Sequence, residues 1–317
     1  MKISFLKLLS MTKKLVRDGG QKENFKMCMK KIIKNWVLPP SVHSLIVRFV
    51  FNARGYFSGN KKKFSLNKMS KGRHKGERCF ILFPGSSIKL QDLKKLAGEC
   101  VIAVSNSFVH PDYRIFRPKY HVLPPLVSSH SDMFSEEEFV AWLREMENKT
   151  LDAEMFFHIG DKRLIEKAGL FKNRIIHWNE YCPWNENDAI SEIDLSCIPS
   201  IWSVSEYALS VAIYLGYSKI YLLGLDHDWF NGALVHFYDE KEHVLQPEKA
   251  KYETWLDSEF QMRRHIHIFR KYKALRVLHK EIYNANANPN SYVDVFAKVE
   301  YDLLFPRDSN IVVKANK

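Results

Sequence analysis

Residues 203–228 read Ser-Val-Ser-Glu-Tyr-Ala-Leu-Ser-Val-Ala-Ile-Tyr-Leu-Gly-Tyr-Ser-Lys-Ile-Tyr-Leu-Leu-Gly-Leu-Asp-His-Asp. Tyr207, Val211 and Leu215 recur every fourth residue, which places them on one stripe of a helix over 203–216 that Gly216 terminates. Lys219 to Leu225 is then a near-continuous apolar run, the pattern of a strand buried on both faces. It ends in a polar tip, Asp226-His227-Asp228. A helix feeding a doubly buried strand is half of a βαβ unit, and it predicts a parallel sheet.

The same alternation extends outward in both directions. Upstream, Cys79–Phe83 reads as a strand, Pro84-Gly85-Ser86-Ser87 as a turn, and 88–96 as an amphipathic helix. Val101–Val104 is a second strand ending in Ser105-Asn106-Ser107, and Tyr120–Leu123 a third, stopped by Pro124-Pro125. A helix over 136–147, a strand over 155–159 and a weaker strand over 174–177 follow. Downstream lie a long charged helix over 247–280 and a short strand over 282–284. The expected class is α/β: a Rossmann-like, mostly parallel sheet with helices on both faces.

Charge divides the chain. Residues 1–75 hold 19 Lys/Arg against two acids, Asp18 and Glu23, while the remainder holds 29 bases against 34 acids. Phe25, Met29, Ile32, Ile33 and Trp36 recur at helical spacing among lysines, Pro39-Pro40 ends that helix, and a further apolar stretch runs over 45–51. None approaches the ~20 apolar residues of a membrane span. Basic amphipathic helices of this kind suit the surface of an anionic leaflet, so residues 1–54 are expected to dock on a membrane and not on nucleic acid. A helical subdomain packed on the body is the bland alternative. Residues 60–78 read as a basic linker, giving a basic helical segment at 1–77 and an α/β domain at 78–317. The five cysteines (28, 79, 100, 182 and 197) include no C-x-x-C pair. They are expected to be reduced, mostly buried thiols, with neither a disulfide scaffold nor a structural zinc, in a cytoplasmic protein bound peripherally on the inner face of the cell membrane.

In open parallel sheets ligands bind beyond the carboxyl ends of the strands. Gly85, Ser86, Ser87, Asn106, Asp226 and Asn284 are the polar residues expected there. Pro-Gly-Ser-Ser is neither a dinucleotide fingerprint nor a P-loop, and a plain turn with a helix cap explains it as well. Asp226 and Asp228 form a D-x-D pair that could hold a divalent metal on a nucleotide diphosphate, although such pairs also occur in loops by chance. His236 and His243 lie between this strand and the long helix, where a histidine could act as general base.

With those residues in view, about 78–305 resembles the bacterial sialyltransferases that build lipooligosaccharide. It also resembles the wider family of motility-associated glycosylation factors and hydroxymethylpterin-diphosphokinase-like proteins. Cys79–Ser87 is similar to that family's opening strand and Gly-Asn-Gly-Pro-Ser loop, and Val104–Phe108 to its second loop. Ser203–Asp226 is the strongest match. His236-Phe237-Tyr238 resembles the loop with the catalytic histidine, and Pro289-Asn290-Ser291 the last turn. The resemblance implies a GT-A-like variant of the fold and an inverting transferase that moves a CMP-activated nonulosonic or related acid. The implied acceptor is a lipid-linked oligosaccharide, in surface-polysaccharide or glycolipid assembly. It implies His236 as catalytic base, with Gly85, Ser86, Ser87, Asn106, Ser203, Ser205, Asp226, Tyr238, Asn290 and Ser291 around the donor, and no required cofactor or metal. The sequence departs from the pattern at Pro84, in place of the loop Asn, and at Pro124-Pro125. The alternatives are a metal-dependent enzyme using a nucleotide-diphosphate donor, a pterin diphosphokinase-like enzyme, and a non-catalytic membrane-docking adaptor.

Overall fold

The computed structural model describes residues 64–127, 134–184, 189–227, 236–239, 255–289, 291 and 293–305. The chain divides into two units, and every described element belongs to the one spanning Gly59–Cys182 and Glu186–Lys317. The basic helices read at 25–36 and 45–51, and with them Asp228, His243 and Asn290, lie outside the described residues.

The sheet has eight parallel strands: β1 (Arg78–Leu82), β2 (Val101–Val104), β3 (Tyr120–Val122), β4 (Glu154–His158), β5 (Ile176–Asn179), β8 (Lys219–Leu223), β9 (Ile282–Asn284) and β10 (Ala297–Lys298). A separate parallel pair joins β6 (Tyr181–Cys182) to β7 (Ile198–Pro199). The order across the large sheet is β10-β9-β8-β1-β2-β3-β4-β5. This is the Rossmann-like α/β fold that the apolar runs predicted.

Side-chain alternation divides the core between two faces. Phe80, Leu82, Val101, Ala103, Met155, Phe157, Tyr221 and Leu223 share one cluster with Trp142, Leu143 and Met146 of helix α3 (Glu136–Lys149). Their strand neighbours Ile81, Ile102 and Leu222 are equally buried and fall outside that cluster. Helix α5 (Val204–Leu215) lies against β1, β2 and β3. Both helices begin with a capping box, Ser135 with Glu138 and Ser203 with Glu206, in which serine and glutamate satisfy orphan N–H groups reciprocally.

Three local readings need correction. Residues 88–96 form no α-helix but two 3-10 turns, Ser86–Leu90 and Leu93–Leu96. The Asp92 side chain accepts from Lys94 N and restarts the chain there. Residues 64–77 are no linker: helix α1 (Ser65–Ser70) is docked through Asn67, whose Nδ2 donates to Trp178 O at 2.7 Å and whose O accepts from Tyr214 Oη at 2.7 Å. Those partners lie more than a hundred residues away in sequence, so local composition carries no trace of them. Finally, Cys182 and Cys197 form a disulfide where β6 meets the turn before β7. Cysteine usage therefore no longer argues for a reducing compartment. Among the described residues no helix is long and apolar enough to cross a membrane.

Candidate functional site

β1 and β8 are neighbours, and the chain winds away from them in opposite directions, through β2 to β5 on one side and β9 to β10 on the other. That is a topological switch point, where the loops leaving the two strands diverge and open a crevice. The loops after β1, β2, β8 and β9 carry most of the residues singled out in the sequence.

Asp226 ties three of these loops together. Its carboxylate accepts from Ser87 N at 3.1 Å, Ser87 Oγ at 2.5 Å, Ser86 Oγ at 3.5 Å and Asn286 Nδ2 at 2.7 Å. The group is buried, and hydrogens point at both of its oxygens. A carboxylate so saturated by donors is a poor metal ligand, since a cation would displace several hydrogen bonds at once. Ser291 adds a clasp on the other side, its Oγ donating to Leu225 O at 3.3 Å.

His236-Phe237-Tyr238 returns over this junction. His236 forms an isolated antiparallel bridge with Gly85, and Phe237 N donates to Pro84 O at 3.1 Å. Phe237 is buried beside His110, with ring centroids 5.2 Å apart. The His236 ring lies nearly parallel to that of Tyr238, at 5.0 Å and 7°. Asn106, buried at the end of β2, donates to Tyr238 Oη at 2.9 Å and accepts from Trp142 Nε1 at 2.7 Å. A chain of contacts thus runs from the α3 core through Asn106 and Tyr238 to His236. Asn106 fixes the histidine loop, a positioning role.

The loop that carries Asn106 is held in turn by β3. His121 Nε2 donates to Ser105 O at 2.8 Å, so Nδ1 is the acceptor for Tyr113 Oη at 3.0 Å. Burial pushes this imidazole down to about 4. Its ordinary value near 6.5 applies in the unfolded chain, so the unfolded state takes up the proton first as pH falls. The His121 contribution is complete above pH 6.5 and is lost on descending from there toward 4. About 3 kcal/mol of stability is expected to disappear across that window at roughly 1.4 kcal/mol per pH unit. Urea midpoints at pH 7.5 and 4.5, compared with those of His121→Gln, measure it. Equal losses in the two proteins would refute the assignment.

Ser203 and Ser205 lie at the N-terminus of α5. Ser205 Oγ is bonded to Ser203 Oγ at 2.8 Å and to Tyr272 Oη at 2.5 Å, and Tyr272 Oη to His227 Nε2 at 2.8 Å. Tyr272 belongs to the long helix α6 (Trp255–Leu278). His227 follows Asp226 directly and adopts a left-handed backbone, φ 48°, a conformation costing about 1–2 kcal/mol for a residue with a Cβ. The Tyr272 bond and the T-shaped packing on His265, at 5.2 Å, hold it there. Burial, then the charges of His265 and Arg264, push the His227 imidazole down to about 3, so it stays neutral.

No protein-family model and no curated protein matches this chain.

The site therefore rests on its own geometry. Gly85, Ser86, Ser87, Asn106, Asp226, His236, Tyr238 and Ser291 meet at the switch point, while Ser203 and Ser205 are turned toward Tyr272. Asn286, Trp142 and Tyr272 were not singled out in the sequence. Asn286 left a signal in the alternation Asn284-Ala-Asn286-Ala-Asn288, a pattern suited to successive Asx turns. Asn286 N indeed donates to Asn284 Oδ1 at 3.1 Å, and Asn288 N to Asn286 Oδ1 at 2.9 Å. Trp142 and Tyr272 sit among core positions of helices and left none.

Proposed function

We propose that this protein is an inverting glycosyltransferase that takes a sugar from a CMP-linked donor, with His236 as the general base. The main-chain bridge between His236 and Gly85 carries the reading, because it brings the histidine loop against the glycine-serine loop at the switch point of a parallel sheet. In the step envisaged, the acceptor hydroxyl gives its proton to His236 and its oxygen bonds to the anomeric carbon. The carbon–oxygen bond to the phosphate breaks, and CMP leaves with the electron pair. One in-line displacement inverts the anomeric centre. The saturation of Asp226 by Ser86, Ser87 and Asn286 favours a donor with a single phosphate over a metal-bridged diphosphate. A lipid-linked oligosaccharide acceptor, met at an anionic membrane surface through residues 1–54, completes the proposal.

Saturation-transfer NMR against CMP, UDP and GDP, with and without manganese, tests the donor. A CMP response independent of metal is expected. A response to UDP alone that requires manganese would replace this reading by the diphosphate one. For His236→Ala the CMP response should persist, while CMP release from CMP-sialic acid falls by roughly 10²–10⁴-fold, the usual worth of a positioned base. Unchanged release would remove His236 from the mechanism.

A further inference from the structure

At the amino-terminal edge of the sheet, away from the crevice, a second polar cluster forms ahead of β1 and β2. His74 and Glu77 come from the segment leading into β1, and Cys100 immediately precedes β2. An imidazole nitrogen of His74, a carboxylate oxygen of Glu77 and Cys100 Sγ all lie within 4.8 Å of one another. Glu77 Oε2 is hydrogen-bonded to His74 Nδ1 at 2.8 Å and accepts from Cys100 Sγ at 3.4 Å, contacts that an ion would replace.

We infer that His74, Glu77 and Cys100 form a zinc-binding site with three protein ligands, one that clasps the segment before β1 to the start of β2. The donor set is the first argument. One imidazole nitrogen, one thiolate and one carboxylate suit a borderline-soft divalent ion and disfavour magnesium or calcium, which take oxygen. Spacing is the second. A tetrahedral ion about 2.0–2.3 Å from each ligand sets ligand–ligand edges of roughly 3.3–3.8 Å, close to the 2.8 Å and 3.4 Å that separate Glu77 Oε2 from His74 Nδ1 and Cys100 Sγ.

The third argument is the orientation of His74, which groups other than the ligands also hold. Its ring is stacked on Tyr217, with centroids 4.5 Å apart and planes 4° from parallel. Its Nε2 meets Tyr120 Oη at 2.7 Å, and Arg73 Nη1 donates to the same oxygen at 3.4 Å. With the proton on Nε2, the ring donates to Tyr120 and presents the Nδ1 lone pair to an ion. Such a second partner, fixing tautomer and ring angle, accompanies most metal-bound histidines. The Glu77 side chain is half exposed, so water can reach a fourth position. The site lies at the opposite end of the strands from the switch point and does not depend on the transferase reading.

Full-length protein, stripped with a chelator and kept in a thiol-free reductant, should be titrated with cobalt(II) as a spectroscopic stand-in for zinc. One equivalent is expected to produce tetrahedral d–d bands together with a near-ultraviolet thiolate charge-transfer absorption. That absorption should vanish in Cys100→Ser, and the half-exposed Glu77→Gln should weaken cobalt affinity at least about tenfold. Absence of thiolate absorption in the wild-type chain would overturn the proposal, as would its persistence in Cys100→Ser. Should Cys100→Ser fail to fold, by far-ultraviolet circular dichroism, Glu77→Gln decides: unchanged affinity in that variant also overturns it.

Discussion

Lys271→Met is expected to lose about 3–5 kcal/mol of folding stability, because it strands a buried carboxylate. The Lys271 and Glu206 side chains are 2% and 0% exposed and face each other at 3.7 Å. Lys271 Nζ also donates to Ser200 O at 2.5 Å and Pro199 O at 3.3 Å, while Glu206 accepts from Trp202 N and Ser203 N at 2.7 Å each. Burial weighs more than the mutual attraction on both partners, pushing the lysine down to about 8 and the glutamate up. Such a pair is costly to break and of little net worth when intact. The double variant Glu206→Gln/Lys271→Met should therefore recover to within about 1–2 kcal/mol of wild type. Urea denaturation of all four proteins gives the cycle. A Lys271→Met loss below about 1 kcal/mol would refute the assignment. The pair matters to the site because it ties α6 to the turn before α5, and so holds Tyr272 against Ser205.

The second large effect is expected at the crossing of the two loops. Gly224 has φ +67°, and a Cβ there would stand 2.6 Å from Ile88 Cγ2 and closer still to Phe83 O. Left-handed strain and the collision together should cost Gly224→Ala about 3 kcal/mol or more. Gly85 separates the two causes. Its φ is an ordinary −64°, yet a Cβ would lie 2.6 Å from Asp226 Oδ2 and nearer to Gly224 O. Gly85→Ala should therefore lose about 1–3 kcal/mol from crowding alone and should also shift Asp226 off Ser87. Thermal melts and the chemical shift of the Ser87 amide would report both changes. Wild-type stability in Gly85→Ala would mean that the close approach is not needed.

Much of the fold was legible locally. The runs at 79–82, 101–104 and 220–223 are apolar at every position, which only a strand covered on both faces requires. The helix read over 203–216 announced itself through its stripe and its terminal glycine. What local pattern missed is equally specific. Residues 88–96 have helical spacing, but Ser86 and Ser87 are committed to Asp226, and Asp92 caps a new turn, so an α-helix never propagates. Residues 64–77 look like a solvated basic linker until Trp178, Tyr214 and Leu215 supply hydrogen-bond partners.

The site divides in the same way. By itself the sequence determined that polar residues end the strands at 85–87, 106 and 226, because strand pattern places such ends on one edge of a parallel sheet. Tertiary structure alone decided that Asp226 is a clasp for Ser86, Ser87 and Asn286, that Asn106 steadies Tyr238, and that His236 meets Gly85. The reason is physical: side-chain period is set by neighbours in sequence, whereas the partner of a carboxylate or an amide is set by whichever loop the fold brings within about 3 Å.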